Sequence, residues 1–138
     1  VATGIRGVAV AVGLILRARS GRRRTVKVGD VEPAEVGLEV FGSAATIVQF
    51  STEYCARCPG VKRALTALAD EQPDVTYTDV DLTHNTELAS RFRVLQTPTV
   101  LVIDGAGSVT ARFGGAVTAS AIRDEINNVK ELSDVAVS

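Results

Sequence analysis

The chain of 138 residues contains no methionine, no tryptophan, one histidine and only two cysteines. A structural zinc site takes four Cys or His ligands, and three such side chains fall short of that number. The lack of methionine removes another soft ligand that copper(I) commonly takes from proteins. With four phenylalanines and two tyrosines, the hydrophobic core must be built mainly from Val, Leu, Ile and Ala.

Excess charge of either sign is also lacking. The sequence has 15 Lys and Arg against 16 Asp and Glu, a formal net charge of −1 at neutral pH. Proteins that hold nucleic acid by its phosphates usually carry a basic excess, so no nucleic acid partner is expected. A hydrophobic fraction of 46% and a charged fraction of 22% fit an ordinary globular core. The length predicts one domain plus an extension.

No apolar run is long enough to cross a bilayer, which takes about 20 residues in a helix. The longest run, residues 7–16, is followed at once by an arginine-rich stretch that ends at Arg24. In a secretory signal peptide the positive charges come before the apolar run, the reverse of the order here. The positive-inside tendency predicts that the arginine-rich side stays in the cytoplasm. We therefore expect residues 1–24 to associate with a membrane, as part of a span or as a surface anchor, with the folded domain facing the cytoplasm. A soluble cytoplasmic protein is the alternative.

Both cysteines fall in one short motif, Cys55-Ala56-Arg57-Cys58, between a predicted buried strand and a predicted helix. Two thiols three positions apart can reach the separation that a disulfide needs. Unpaired N–H groups and the dipole at a helix start favour thiolate over thiol. The motif predicts reversible dithiol–disulfide chemistry, with Cys55 as the exposed nucleophile and Cys58 as the deeper resolving thiol. The charge of Arg57 would further favour a Cys55 thiolate.

The residues alone leave two other roles open for this pair, a static structural disulfide and half of a metal site. Two thiolates at such a junction could hold copper(I) or zinc. The single histidine, His84, lies in a polar turn and is expected to be solvated rather than to bind metal. Neither a metal nor another cofactor is therefore expected.

The order of predicted elements is β-α-β-α-β-β-α. Alternating strands and helices predict parallel pairing with right-handed crossovers, and a final hairpin predicts an antiparallel edge strand. Residues 25–43 are predicted to be a linker with two short elements, a strand at residues 26–28 and a helical turn that begins at Pro33. Residues 44–132 are predicted to be the main domain, and residues 133–138 a tail. The predicted strands are residues 46–51, 75–81, 99–103 and 108–113, and the predicted helices are residues 57–70, 86–92 and 118–132.

This order and several short motifs resemble the thioredoxin family over residues 44–132. The CxxC motif follows the first strong strand, and Thr97-Pro98 stands where the family carries its cis-proline dipeptide. Gly114-Gly115 falls where a glycine usually closes the last hairpin, and residues 77–81 look like the family's central acidic strand. The resemblance implies an α/β fold of the thioredoxin-like type, a three-layer sandwich with a mixed central sheet and a cis-Pro loop.

The resemblance also implies an activity, thiol–disulfide exchange with protein substrates through Cys55 and Cys58. Tyr54, Thr97 and Pro98 would then bind the substrate, with the backbone of Thr97 pairing with an extended segment. The implied partners are proteins with disulfides and a reductase that recycles the cysteine pair. Two rivals stay open, a thioredoxin scaffold that binds a partner without turnover and a carrier of copper or zinc. A glutaredoxin is less consistent with the sequence, because no proline lies between the cysteines.

Several positions depart from the family pattern and are expected to tune the chemistry. Tyr54 replaces the usual Trp, Ala56-Arg57 the usual Gly-Pro, and Pro59 the usual Lys. Gln49 aligns with the buried Asp that accepts a proton from the second cysteine, and Asp79 aligns with its usual Lys partner. A carboxylate could thus still approach the cysteines from the neighbouring strand. A more positive dipeptide favours the thiolate and so tends to make the pair a stronger oxidant.

Overall fold

A computed structural model describes residues 30–137 of the chain. The predicted membrane segment, residues 1–24, and a predicted short strand at residues 26–28 lie outside these residues. The first described element is a 3₁₀ helix, Pro33–Val36. The elements that follow are β1 (Ala45–Ser51), α1 (Cys58–Asp70), β2 (Val75–Asp81), α2 (Thr86–Arg91), β3 (Thr99–Asp104), β4 (Val109–Gly114) and α3 (Ala119–Val137).

The four strands form one mixed sheet in the order β2-β1-β3-β4. β1 is fully buried, as its continuous apolar run predicts for a central strand that is covered on both faces. β2, at an edge, is only partly buried: Val75 is buried, residues 76–80 are half-buried and Asp81 is exposed. β1 pairs with β2 in parallel, and the β3–β4 hairpin is antiparallel, both as predicted.

The pairing of β1 with β3 differs from the sequence prediction, because it is antiparallel. β2 ends opposite Ser51, and β3 begins opposite Phe50, at the same end of the sheet. The connection between them contains only the six residues of α2 as a helix, which rise about 9 Å. It does not return along the length of the sheet, so β3 runs in the opposite direction to β1.

Two apolar clusters cover the two faces of the sheet and make the predicted three-layer sandwich. On one face, Leu65 and Leu68 of α1 and Ile122 and Ile126 of α3 pack against the sheet, among them against Ile47. The opposite face holds the second cluster, to which α2 and the 3₁₀ helix contribute. Its buried members are Val31, Val36, Val48, Phe50, Leu82, Phe92, Leu101 and Ile103. Aliphatic residues dominate both clusters, as the scarcity of aromatic residues predicts.

The segment before β1 contributes more to the core than a linker would. Val31 and Val36 are 3% and 2% exposed, and the N–H of Val31 donates to the carbonyl of Gly107 at 2.8 Å. The predicted helical turn that begins at Pro33 is the observed 3₁₀ helix. Two isolated valines among polar residues show no periodicity, so the sequence pattern could not reveal their burial.

The last helix has the predicted apolar face and a later end. Ile122, Ile126 and Val129 are buried on the sheet. α3 continues to Val137, so residues that the sequence analysis assigns to a tail are helical. Within residues 30–137, no helix combines the length and the apolar character that crossing a bilayer requires.

Candidate active site

The two cysteines lie at the end of β1, where the chain turns into α1. They form a disulfide with a Cα–Cα separation of 5.5 Å. Cys58 is the first residue of α1 and Arg57 its N-cap, so Cys55 lies just outside the helix. Pro59 in the first turn removes an N–H that would have no helical partner. The motif thus places the sulfur of Cys55 ahead of the positive end of the helix dipole.

The two cysteines differ in their access to solvent. Cys58 is 4% exposed, whereas Cys55 is half-buried. Their neighbours Tyr54 and Arg57 are exposed, Tyr54 to 82%. An incoming thiol or disulfide can therefore reach Cys55 more easily than Cys58. This is the arrangement expected of an attacking sulfur and a resolving sulfur, and the assignment of these roles stays a prediction.

Gln49 lies fully buried beneath the cysteine motif. Its Nε2 donates to the carbonyl oxygen of Cys58 at 3.1 Å, and its Oε1 accepts a hydrogen bond from the Tyr77 hydroxyl at 2.6 Å. Burial, and secondarily the negative charge of Asp79, raises the pKa of Tyr77. The phenol therefore keeps its proton near neutral pH and can donate it to Gln49 Oε1. Because the Cys58 carbonyl can only accept, the amide NH₂ is turned toward Cys58.

Asp79 takes a different place from the one that the family alignment suggests. Its Oδ1 accepts from Ser51 Oγ at 2.5 Å, and its Oδ2 lies 3.7 Å from Lys62 Nζ. Asp79 is paired with Gln49 in the register of β1 and β2, but the β2 side chain that hydrogen-bonds to Gln49 is Tyr77. Both project from the same face of β2 because they are two positions apart on the strand. That spacing is the signal from which the sequence could have indicated Tyr77.

Thr97 and Pro98 lie in the loop that leads into β3, and the peptide bond between them is cis. Pro98 is buried, Thr97 is half-buried, and the carbonyl of Pro98 accepts from the N–H of Gly115 at 3.2 Å. The predicted Gly114-Gly115 turn therefore contacts the predicted cis-proline loop. Gly115 has a φ of +74°, a conformation that glycine adopts without strain.

A groove opens beside the cysteine motif. It has a volume of about 390 Å³ and runs between the start of α1 and the loop after β4. Its lining includes Ala56 and Arg57 from between the two cysteines, Arg63 from α1, and Gly115. Sequence reasoning identifies Arg57 but not Arg63 as a site residue, because the groove joins segments that are distant along the chain.

The metal alternative gains no support from the described part of the chain. No group of three or more His, Cys, Asp or Glu side chains gathers there in a way that could hold a metal ion. His84 is exposed in its turn, as the sequence predicts.

The chain belongs to the thioredoxin family, because the family model described as Thioredoxin matches residues 33–128. Protein disulfide-isomerase 1 of Caenorhabditis elegans is 33% identical over 87 residues, which cover 60% of this chain and 18% of that protein. A thioredoxin of Ophiophagus hannah is 29% identical over 72 residues, which cover 52% of this chain and 69% of that protein. The chain therefore spans under a fifth of the length of the first relative and about two thirds of the second.

Solved structures show the same fold. The X-ray structure of Fasciola hepatica thioredoxin aligns with a TM-score of 0.55 at 24% sequence identity. The alignment covers 87% of this chain and 92% of the other. The predicted thioredoxin-like architecture is thus confirmed, with a mixed four-stranded sheet between helical layers.

Proposed function

We propose that this protein is a thiol–disulfide oxidoreductase that exchanges electrons with protein disulfides through Cys55 and Cys58. The observation that carries the proposal is the pair itself, bonded as a disulfide at the start of α1. Cys55 is half-buried, whereas Cys58 is buried. Family membership supports the same chemistry, since one relative named above is a protein disulfide-isomerase and the other is a thioredoxin.

The exchange takes two steps. The Cys55 thiolate attacks one sulfur of a substrate disulfide, the substrate S–S bond breaks, and the released substrate sulfur takes up a proton. The Cys58 thiolate then attacks the Cys55 sulfur and releases the second substrate thiol. The substrate gains two electrons and the protein is left with the Cys55–Cys58 disulfide. The reverse sequence oxidises a substrate dithiol.

The substrate segment would lie along the cis-proline loop next to the cysteines. Thr97 is half-buried at the start of β3, where its backbone can pair with an extended chain. Tyr54, 82% exposed beside Cys55, offers a large apolar surface for the substrate to cover. A separate reductase would return the oxidised pair to the dithiol form.

Two residues would tune the exchange. Arg57, exposed between the cysteines, favours the Cys55 thiolate and hence the reduced form of the pair, which shifts the pair toward the oxidising end of the range. Gln49 cannot take the proton that Cys58 must lose before it attacks, so it affects the rate of the second step.

Cysteine variants test the exchange directly. We expect Cys58→Ser to accumulate a mixed disulfide between Cys55 and its substrate, because no thiol remains to resolve it. Cys55→Ser, the matched control, should accumulate none. The measurement is non-reducing electrophoresis of proteins captured in cells, with release of the captured proteins by dithiothreitol. Equal capture by both variants, or by neither, would contradict the proposal.

Membrane association of residues 1–24 is a second proposal, supported by the apolar run at residues 7–16 and the arginines that follow it. A basic segment of this kind is attracted to the anionic cytoplasmic leaflet, which would place the domain in the cytoplasm. In cell fractionation the full chain should sediment with membranes, and replacing the arginines of this segment by glutamine should release it. Recovery of the full chain only in the soluble fraction would count against the anchor.

A further inference from the structure

The groove beside the cysteine motif carries positive charge that the rest of the domain leaves uncompensated. Arg57 and Arg63 both line it, and its lining contains no Asp or Glu. Both arginines are exposed. Over the chain as a whole, acidic and basic residues nearly cancel, so this local excess is a property of the groove rather than of the protein.

The ion pairs of the described residues join other cations. Lys62 lies 3.7 Å from Asp79, Arg91 pairs with Glu35, Arg123 with Glu71, and Lys130 with Asp74. Within residues 30–137, neither Arg57 nor Arg63 is paired with a carboxylate. Lys62, next to Arg63 in sequence, forms an ion pair, whereas Arg63 does not.

The side chain of Arg63 is directed toward the N-terminal end of α1. Side chains of a helix lean toward its N-terminus, so a residue in the second turn reaches over the first. An Nη atom of Arg63 lies 3.8 Å from the point where a Cβ on Gly60 would sit. The absence of a side chain at Gly60 leaves room for the guanidinium there, two residues after Cys58 in the chain.

We propose that this groove selects protein segments that carry acidic side chains close to the cysteine that is exchanged. The inference rests on the proposed thiol–disulfide exchange and adds the chemical class of the substrate. An extended segment advances about 3.3 Å per residue, so an acidic residue two positions from the exchanging cysteine lies roughly 7 Å from it. When the substrate cysteine is bonded to Cys55, an acidic side chain at that distance can enter the neighbouring groove, which is lined by Ala56 and Arg57. Exposed ion pairs contribute modestly, and each acidic residue should raise the exchange rate by roughly two- to fivefold.

Three peptide disulfides test this preference in a single turnover that needs no recycling reductase. They share one sequence and differ only at the positions two residues either side of the cysteine, which are Glu, Gln or Lys. The reduced full chain is mixed with each peptide at low salt, and the formation of the Cys55–Cys58 disulfide is followed by rapid quenching with an alkylating agent. The rates should fall in the order Glu, Gln, Lys. The ratio of the Glu-peptide rate to the Lys-peptide rate should approach one at about 1 M salt, where screening is strong.

Matched variants locate the preference in the groove. Arg63→Glu should reverse the ratio of the Glu-peptide rate to the Lys-peptide rate. Arg123→Glu, which makes the same change in net charge on α3, should keep the wild-type ratio. Arg63→Gln, a milder change, should bring the ratio close to one and serves as the second measurement where Arg63→Glu lowers stability.

The outcomes separate the inference from the function on which it rests. Equal rates for all three peptides in the wild-type protein would overturn the acidic preference and leave the exchange activity standing. A preference that survives Arg63→Glu and disappears in Arg123→Glu would overturn the assignment to this groove. Failure to reduce any peptide would overturn the proposed function, and the inference with it.

Discussion

At the scale of single residues, Gln49 is the position where this site departs furthest from the family pattern. Its amide is fully buried and satisfied on both sides, by the Tyr77 hydroxyl and by the Cys58 carbonyl. Leaving a buried partner without its hydrogen bond costs about 1–3 kcal/mol, so Gln49 is well accommodated in its environment. What it lacks is an ionisable group that could accept a proton beside Cys58.

Replacing this amide by an acid should speed the exchange. In Gln49→Asp, burial would raise the pKa of the new carboxyl toward neutrality and let it accept the Cys58 proton. General base catalysis contributes up to roughly 10²–10⁴-fold, so we expect a gain of at least severalfold in insulin reduction near pH 7. Gln49→Asn is the control, because Asn has the length of Asp but no acidic group, and it should show no gain. Both variants are expected to lose some stability, because the shorter side chains no longer donate to the Cys58 carbonyl. Identical rates for Asp and Asn from pH 6 to 9 would refute this account of Gln49.

At the scale of elements, the 3₁₀ helix before β1 is joined to α2 by a carboxylate that binds both. Glu35 Oε2 accepts from the N–H of Glu32 at 2.8 Å, and its Oε1 accepts from Arg91 Nε at 3.0 Å. The pKa of Glu35 is lowered below its ordinary value of 4.5, first by the hydrogen bond from Glu32. Burial opposes this effect, and the hydrogen bond and charge of Arg91 lower the pKa further.

This contact makes a pH-dependent contribution to stability. Because the pKa of Glu35 is lower in the folded state, the contribution is fully present above about pH 4.5 and is lost as the pH falls through the folded value. Glu35→Gln should therefore lower the free energy of unfolding by about 0.5–1 kcal/mol at pH 7, the range of a partly exposed ion pair. Urea titrations should show the difference closing under acid conditions. Glu39→Gln, at an exposed position in the following loop, should show no such pH-dependent loss, and the same loss in both variants would contradict the argument.

At the scale of the whole molecule, the reduction potential of the pair and the stability of the fold are linked by one thermodynamic cycle. Any interaction that favours the folded dithiol over the folded disulfide raises the potential and stabilises the reduced protein by the same free energy. Arg57 acts in this sense on the Cys55 thiolate. A change in the reduction potential can thus be measured as a change in the difference between the free energies of unfolding of the reduced and the oxidised protein.

We therefore expect Arg57 to stabilise the reduced protein relative to the oxidised protein. Arg57→Gln should lower the free energy of unfolding of the reduced protein relative to that of the oxidised protein by about 0.5–1 kcal/mol, and the midpoint in glutathione buffers should fall by roughly 10–20 mV for a two-electron couple. Arg123→Gln, far along the fold on α3, is the control and should change neither quantity. A midpoint that rises or stays constant in Arg57→Gln would show that this charge does not favour the reduced form.

Most elements and the disulfide chemistry of the site can be predicted from local sequence patterns. Continuous apolar runs predict β1 and β3, and helical spacing with a proline in the first turn predicts α1, because these patterns record which faces are buried. The three-residue spacing lets Cys55 and Cys58 meet where the chain turns into α1, with their Cα atoms 5.5 Å apart. Local regularity and short separation made these features predictable.

Tertiary structure decided the features that depend on distant segments meeting. β3 is antiparallel to β1 because the chain enters it at the end of the sheet where β2 ends. The burial of Val31 depends on its contact with the turn at Gly107. The contact of Tyr77 with Gln49 needs the β1–β2 register. The groove that Arg63 shares with Gly115 needs α1 to pack beside the end of β4. Each of these depends on packing between segments far apart in the chain, which no local pattern encodes.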